Sequence, residues 1–198
     1  MTKTAILTAL IFSIGLTACG QNPETDNSDY SKHEKQVNDC LDQWFQEKEL
    51  KWTELESIFL NYFEQGEIVE STSSESEKYQ TILKFFERPT RQFPIFKEKK
   101  KAVATRYKLG LSQLDAKQKK QLDCLTDNES EFNENSSLHQ MKETIKTLQG
   151  LPDISPGLVA GTMNSFLTEE DLEKELYQKL ITLTFIYDMT MFLKDENE

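Results

Sequence analysis

The chain has 198 residues, of which 37% are hydrophobic and 29% charged, and its formal net charge is −11. This composition is globular, and the length suits one domain with a substantial core. The acidic balance argues against a nucleic-acid-binding protein, because neutralisation of phosphates supplies most of the affinity in that class. The 7 glycines and 5 prolines are too few for a many-turned β-sandwich.

The first 18 residues have the three zones of a secretory signal. Lys3 supplies one positive charge, residues 5–15 are uncharged and mostly apolar, and small residues lead to the pair Ala18 and Cys19. This layout predicts a cleavable signal peptide over residues 1–18. The apolar stretch is about half the roughly 20 residues that a spanning helix needs, which argues against a permanent transmembrane anchor.

The quartet Leu16, Thr17, Ala18 and Cys19 resembles the lipobox of bacterial lipoproteins, with an aliphatic residue, two small residues and the cysteine. The resemblance covers only this processing signal. It implies that the Cys19 thiol takes a diacylglycerol, that the signal is cut before the cysteine, and that the new amine is usually acylated too, for example by palmitate. Two or three acyl chains would hold durably, since each buried methylene contributes about 0.8 kcal/mol. The alternative is an ordinary signal peptide with a chance cysteine.

The same resemblance implies a protein that is lipid-anchored to the cell membrane and faces outside the cytoplasm. In enterobacterial lipoproteins an aspartate after the cysteine tends to retain the protein in the inner membrane. Gly20 stands there in this chain, which implies the outer membrane if the host has two. Residues 19–31 are polar, and we predict a lipidated N-terminus and flexible tether. A single helical domain is expected over residues 32–198.

Two cysteines remain once Cys19 is acylated, namely Cys40 and Cys124. Export places them where disulfides persist, so the sequence predicts one bridge between them. The alternative is a pair of buried free thiols.

Apolar residues recur at helical spacing along most of the mature chain, and no alternating strand pattern of useful length is present. The fold class expected is all-α, an irregular bundle of about five to seven helices. Residues 151–167 are the most loop-like apolar stretch, and the last helix is apolar on several faces, which predicts a central position. The first predicted helical pattern covers 37–63, as one long helix or as two with a break near 48–51, and stops at Gly66. A short helix over 79–86 follows, capped from the loop 71–76, and then a helix over 112–125. A capping box of Ser137 and Gln140 opens the next helix, and Thr168 with Asp171 caps the last one.

Residues 91–120 hold ten Lys or Arg against two acids, in contrast to the rest of the chain. Such a cluster can contact lipid phosphates, an acidic glycan or an acidic partner. The alternative, which we favour, is a solvated helix face balanced by the acidic helices of the same protein. The candidate residues of this acidic-partner patch are Lys97, Lys99, Lys100, Lys101, Arg106 and Lys108.

The sequence predicts no metal site, no cofactor and no catalytic residue. His33 and His139 are the two histidines, they lack ligand spacing, and we expect both on the solvated surface. There is no nucleophile elbow of the G-x-S-x-G type. The stretch 155–161 contains two glycines, which permit close approach by a ligand or by a neighbouring helix, and packing inside the bundle is the simpler interpretation.

The function predicted from these features is a non-enzymatic interaction module that binds another protein of the cell envelope. One alternative is an immunity-like lipoprotein whose acidic surface neutralises an exported basic toxin. A second is a ligand or lipid carrier with an apolar pocket in the bundle. A third is an enzyme with an unfamiliar site, which predicts a cleft of convergent polar groups with shifted pKa values.

Overall fold

The computed structural model describes residues 27–88, 121, 123–126, 134–150 and 154–191. Within these ranges every regular element is a helix, which confirms the predicted all-α bundle. Residues 121 and 123–126 are helical as well. The remaining helices are α1 (Asn27–Glu47), α2 (Trp52–Gln65), α3 (Glu75–Glu87), α4 (Ser137–Gly150), α5 (Pro156–Phe166), α6 (Glu169–Leu172) and α7 (Glu175–Met191).

The first apolar stripe forms two helices rather than one, with the break where the sequence placed it. The backbone N–H of Leu50 donates to Phe45 O at 3.0 Å, and Glu49 takes a left-handed φ of 56°.

At its N-terminal end, α1 begins at Asn27. The predicted tether is therefore wrong for residues 27–31, because the small polar residue types that indicate a tether are also preferred at helix starts.

The end of α2 is a reversed turn in which a glutamate occupies the position that usually requires glycine. Gly66 is the C-cap, as predicted, with an ordinary φ of −83°. Glu67 then adopts a φ of 55°, and the N–H of Ile68 donates to Phe63 O at 3.0 Å. This is a Schellman-type closure.

We expect Glu67→Gly to raise the free energy of unfolding by about 0.5–1 kcal/mol. Glycine removes the roughly 1–2 kcal/mol cost of a non-glycine residue in the left-handed region, and its greater loss of backbone entropy on folding offsets part of that gain. Urea unfolding measures the change. Glu70→Gly at a nearby exposed position without positive φ is the control and should not stabilise. A Glu67→Gly variant that is less stable than the wild type would contradict this account.

The loop before α3 caps that helix, as the sequence predicts. Ser74 Oγ accepts from the N–H of Glu77 at 3.3 Å, and Glu77 Oε2 accepts from the N–H of Ser74 at 2.9 Å. The two residues thereby satisfy each other's backbone N–H groups in a capping box.

The capping box predicted for Ser137 and Gln140 is wrong by one residue. Ser136 is the residue whose hydroxyl oxygen accepts a backbone N–H, that of His139, at 3.1 Å. Ser137 instead donates its hydroxyl to the Asp171 carboxylate at 2.7 Å, and the hydroxyl of Thr168 donates to the same oxygen at 2.8 Å. Adjacent serines offer the same local signal, and a tertiary hydrogen bond to α6 distinguishes them.

The Thr168 and Asp171 box is present, but it opens the four-residue helix α6 and not the last helix. After Leu172 the chain turns, and α7 begins at Glu175.

The prediction of a loop over residues 151–167 is wrong for most of that stretch, because Pro156–Phe166 is helix α5. Ser155 Oγ accepts from the N–H groups of Gly157 and Leu158 at 3.2 and 3.4 Å. Proline at the first helical position is a start signal rather than a breaker. A Cβ on Gly157 would lie 3.2 Å from Phe86 O, so Gly157 serves close packing against α3, as the simpler interpretation held.

The interior is an aromatic cluster around α2, α3 and α7. Phe86 stacks on Phe185 with ring centroids 4.2 Å apart, and Phe63 meets Phe59 and Phe86 edge to face at 5.1 and 5.8 Å. Such pairs add about 0.5–1.5 kcal/mol each beyond their burial. Helix α7 contacts α1, α2 and α6, and its residues from Leu176 to Ile186 are buried, which confirms its predicted central position.

Candidate functional site

Two of the residue sets singled out in the sequence lie outside the described residues. These are the lipobox at residues 16–19 and the basic patch, Lys97 to Lys108. The lipid attachment and the acidic-partner patch remain predictions. Among the described helices, none is long and apolar enough to cross a membrane.

The predicted cysteine pair is at disulfide distance in the structure. The Sγ atoms of Cys40 and Cys124 lie 2.10 Å apart, with Cα atoms 5.6 Å apart. Cys124 is fully buried. The pair ties α1 to the helical residues 123–126. The nearby Gln121 Nε2 donates to Leu180 O of α7 at 3.1 Å. This arrangement is a structural cross-link in the interior.

An apolar groove of about 370 Å³ lies between α4 and α5. It is open to solvent, and Ile154 lies at one end of the α5 wall. Leu158, on that wall, is 61% exposed and is the large hydrophobic residue that stands out at the described surface. The wall from α4 consists of Gln140, Glu143, Thr144, Thr147 and Leu148, and the wall from α5 consists of Leu158, Val159, Thr162, Ser165 and Phe166.

The hydroxyl groups that line this groove are already used by the backbone of their own helices. Thr144 donates to Gln140 O at 2.7 Å, and Thr147 donates to Glu143 O at 2.8 Å. On the opposite wall, Thr162 donates to Leu158 O at 2.9 Å. The donors are thus satisfied, and a bound group gains little directional hydrogen bonding from them. The groove therefore suits an apolar occupant better than a polar small molecule.

Helix α5 lies in a stretch with almost no charge. Between Lys146 and Glu169 the sequence contains a single charged residue, Asp153, although 29% of the whole chain is charged. Of the α5 residues, Val159, Ala160 and Met163 are buried. A surface helix normally carries charged residues on its outer face. The outer face of α5 lacks them, and this absence of charge distinguishes α5 from an ordinary surface helix.

A second depression, of about 570 Å³, is acidic. Two of its carboxylates, those of Glu75 and Glu175, have structural roles within their own helices. Glu75 and Glu175 lie in the first turns of α3 and α7, where negative charge complements the helix dipole. Lys78 pairs with Glu75 at 3.3 Å, and Lys179 pairs with Glu175. The remaining lining residues are Trp52, Thr53, Glu56, Ser74, Ser76, Glu173 and Gln178. We assign no ligand to this cleft.

Glu56 is the one carboxylate of the acidic cleft that this environment disfavours. Burial raises the pKa of Glu56 above its usual value, and the negative charges of Glu75 and Glu175 raise it further. Because the folded state holds this proton more tightly than the unfolded state does, stability falls as the pH rises above the ordinary glutamate pKa and through the folded-state pKa of Glu56.

We therefore expect Glu56→Gln to raise the free energy of unfolding at pH 7 by roughly 0.5 kcal/mol, the scale of relieved like-charge pairs. The gain should shrink toward zero at about pH 3, which is below the ordinary glutamate pKa, because the carboxyl is then protonated in both the folded and the unfolded state. Thermal unfolding at the two pH values measures it. Glu70→Gln removes the same charge at an exposed turn and is the control. Equal effects of the two variants, or a gain that grows in acid, would contradict the assignment.

Lys179 is the most deeply buried charged residue of the described part, with its side chain 0% exposed. Its Nζ contacts the carboxylates of Asp42 and Glu175, donates to Asn38 Oδ1 at 2.9 Å and lies 5.9 Å from the centroid of the Trp52 ring. The two carboxylate side chains are 38% and 53% exposed. The cluster joins α7 to α1 and α2, and we interpret it as structural.

The histidine expectation is wrong for His33, which is only 6% exposed, with Nδ1 3.2 Å from Gln36 Oε1. The missed signal is spacing, because His33 lies on the same helix stripe as the buried Val37, Leu41 and Trp44. His139 is partly exposed. Among the described residues, no group of three or more histidine, cysteine or acidic side chains is arranged to hold a metal ion.

Comparison of the chain with protein-family models, characterised proteins and solved structures finds no match. The lipobox resemblance and the groove between α4 and α5 are therefore the two features of this chain that point to a function.

Proposed function

We propose that this chain is a bacterial lipoprotein anchored through Cys19, and that its helical domain binds another protein of the cell envelope through the α4–α5 groove. The observation that carries the binding half of the proposal is the uncharged outer face of α5, on which Leu158 is 61% exposed beside the exposed Thr162 and Ser165. Exposed apolar surface rimmed by polar residues is typical of interaction sites. The anchor half depends on residues 16–19 alone.

The shape of the groove favours a protein over a small ligand. Small-molecule sites typically bury about 70–90% of the ligand surface and supply a few convergent polar groups. This groove is open to solvent, and the hydroxyl donors of Thr144, Thr147 and Thr162 bind backbone carbonyls of their own helices. A carrier of lipids would need a more enclosed cavity.

The anchor is tested by metabolic labelling with an alkyne analogue of palmitate. We expect label on the wild-type protein and none on Cys19→Ser, which should also run as the uncleaved precursor. Cys40→Ser should still be labelled and controls for nonspecific acylation. Label that persists in Cys19→Ser would overturn the anchor and leave the groove untouched.

The binding site is tested by photocrosslinking in cells. A photoreactive amino acid replaces Thr147 or Thr162 in the groove, and Ser57, which is exposed on α2, is the control position. We expect the same protein adduct from both groove positions and no such adduct from position 57, with mass spectrometry as the readout. Adducts only with lipid would favour the carrier, and adducts of equal yield from all three positions would refute a groove-specific partner.

A further inference from the structure

The buried amine of Lys179 contacts a side-chain amide as well as two carboxylates. Its Nζ donates to Asn38 Oδ1 at 2.9 Å and contacts Asp42 and Glu175, while the Lys179 side chain is 0% exposed. A carboxamide carbon can be attacked by an amine, whereas a carboxylate repels nucleophiles. The contact with Asn38 therefore holds a nucleophile beside an electrophile, in a place where the amine is shielded from water.

Asp42 connects the two groups that would react. One oxygen, Oδ1, contacts Lys179 Nζ, and the other, Oδ2, accepts from Asn38 Nδ2 at 3.3 Å. A single carboxylate thus reaches both the attacking nitrogen and the nitrogen that would leave. This is the placement that acid–base catalysis of an amide exchange requires, because the proton taken from the nucleophile must be delivered to the leaving group.

Lys78 shows what an ordinary ion pair in this protein looks like. Its side chain is 10% exposed, and it pairs with Glu64 at 3.2 Å and with Glu75 at 3.3 Å. Both of these partners are carboxylates, so neither offers an acyl group that the amine could attack. Lys179 differs because an amide and a carboxylate from the same face of α1 meet its amine together.

We propose that Lys179 and Asn38 form an isopeptide bond after the chain folds, with Asp42 as the acid–base catalyst. Asp42 takes a proton from Nζ, and the freed lone pair attacks Cγ of Asn38. The Nζ–Cγ bond forms, Asp42 passes its proton to Nδ2, and the Cγ–Nδ2 bond breaks with loss of ammonia. The second proton that Nζ gives up leaves with the ammonia as ammonium, so Asp42 ends as a carboxylate. One amide replaces another, and the step needs no oxidant and no activated co-reactant.

The bond joins the first described helix to the central one. Asn38 and Lys179 are 141 residues apart in the sequence, and Cys40 already links α1 to Cys124. Helix α1 is also the described element that follows Cys19 most closely. Two covalent links on α1 keep the bundle closed at the end of the chain that the proposed lipid anchor holds.

Intact mass spectrometry tests the proposal on the full mature chain carrying Cys19→Ser, after reduction of the disulfide. We expect the folded protein to be lighter than its sequence predicts by one molecule of ammonia. Tandem mass spectrometry of a tryptic digest should then find the peptide that contains Asn38 joined to the peptide that contains Lys179.

Four variants assign the roles, with circular dichroism to verify that each is helical. Asn38→Asp and Lys179→Met each remove one reacting group and should retain the full mass. Asp42→Asn keeps both reacting groups and removes the base, so bond formation should slow about 100-fold. Asn61→Asp changes an exposed amide on α2 in the same way and is the matched control, which should lose ammonia as the wild type does.

Three results would overturn the proposal. The first is a folded wild type of full mass that yields a linear tryptic peptide ending at Lys179. The second is a loss of ammonia that persists in Lys179→Met, which would identify a cyclised asparagine. The third is a loss of water instead of ammonia, which would place the bond at a carboxylate. An unchanged rate in Asp42→Asn would reject Asp42 as the catalyst. Free energies of unfolding assigned to the ion pairs of Lys179 refer to chains of full mass, because the bond removes the amine from those pairs.

Discussion

Lys179→Ala is expected to lower the free energy of unfolding by about 3–4 kcal/mol. The change removes a fully buried four-carbon chain, and truncations of this size in a core cost roughly 2–5 kcal/mol. It also breaks the ion pairs with Asp42 and Glu175. The loss lies in the lower part of the roughly 3–5 kcal/mol range for breaking a buried ion pair, because both carboxylates are exposed enough to recover water.

Lys179→Met separates packing from charge. Methionine fills most of the same volume, so the expected loss is about 1–2 kcal/mol, which reflects the ion pairs and the hydrogen bond to Asn38. Lys146→Ala is the control, since Lys146 is 57% exposed and its pairing with Glu143 at 3.9 Å should contribute under about 1 kcal/mol. Urea unfolding measures the stability of the three variants, provided that the dependence of the unfolding free energy on urea concentration is the same for each of them. A Lys179→Ala variant as stable as the wild type would refute the stabilising role of the ion-pair cluster around Lys179.

The elements that sequence predicts correctly here are those encoded locally. The break between α1 and α2, the cap at Ser74 and the stop at Gly66 each depend on a few adjacent residues whose backbone preferences agree. The all-α class follows from periodicity sustained along the chain. Even where the prediction slipped, as between Ser136 and Ser137, the helix started within one residue of its predicted position.

The features that sequence missed are decided by contacts between distant elements. Two glycines and a proline indicate a loop, yet α5 is helical because its small residues allow close contact with α3 at Phe86 and Glu87. Lys179 is a charged residue in an apolar helix, and its burial depends on carboxylates from α1 and from its own preceding turn. Propensity cannot anticipate a partner such as Asp42, because it lies 137 residues before Lys179 in the sequence.

The groove illustrates the same limit for function. The spacing of its wall residues is visible in the sequence, but on α4 it is indistinguishable from an ordinary core-facing stripe. Only the packing of α4 beside α5, with Leu158 left exposed, shows that these stripes have no covering helix within the described part of the chain. The missed signal is the low charge between Lys146 and Glu169, which the sequence displays and a search for motifs passes over.

Removal of the Cys40–Cys124 cross-link is expected to produce the largest loss of stability of the changes considered. The two cysteines are 84 residues apart, and in the chain-entropy model a loop of that length contributes about 4–5 kcal/mol through the unfolded state. The double variant Cys40→Ser with Cys124→Ser should lose that amount, plus the cost of an unsatisfied hydroxyl at the buried position 124.

Reduction of the wild type distinguishes the two contributions, since it opens the loop without adding hydroxyls. We expect the reduced wild type to unfold at lower urea than the oxidised form and slightly higher than the double variant. The same reductant should leave the double variant unchanged, which is the control for nonspecific effects. If oxidised and reduced protein unfold at the same urea concentration, the cross-link does not constrain the unfolded chain. The attachment of residues 121 and 123–126 would then depend on contacts such as the hydrogen bond of Gln121 to Leu180 O and the burial of Leu125.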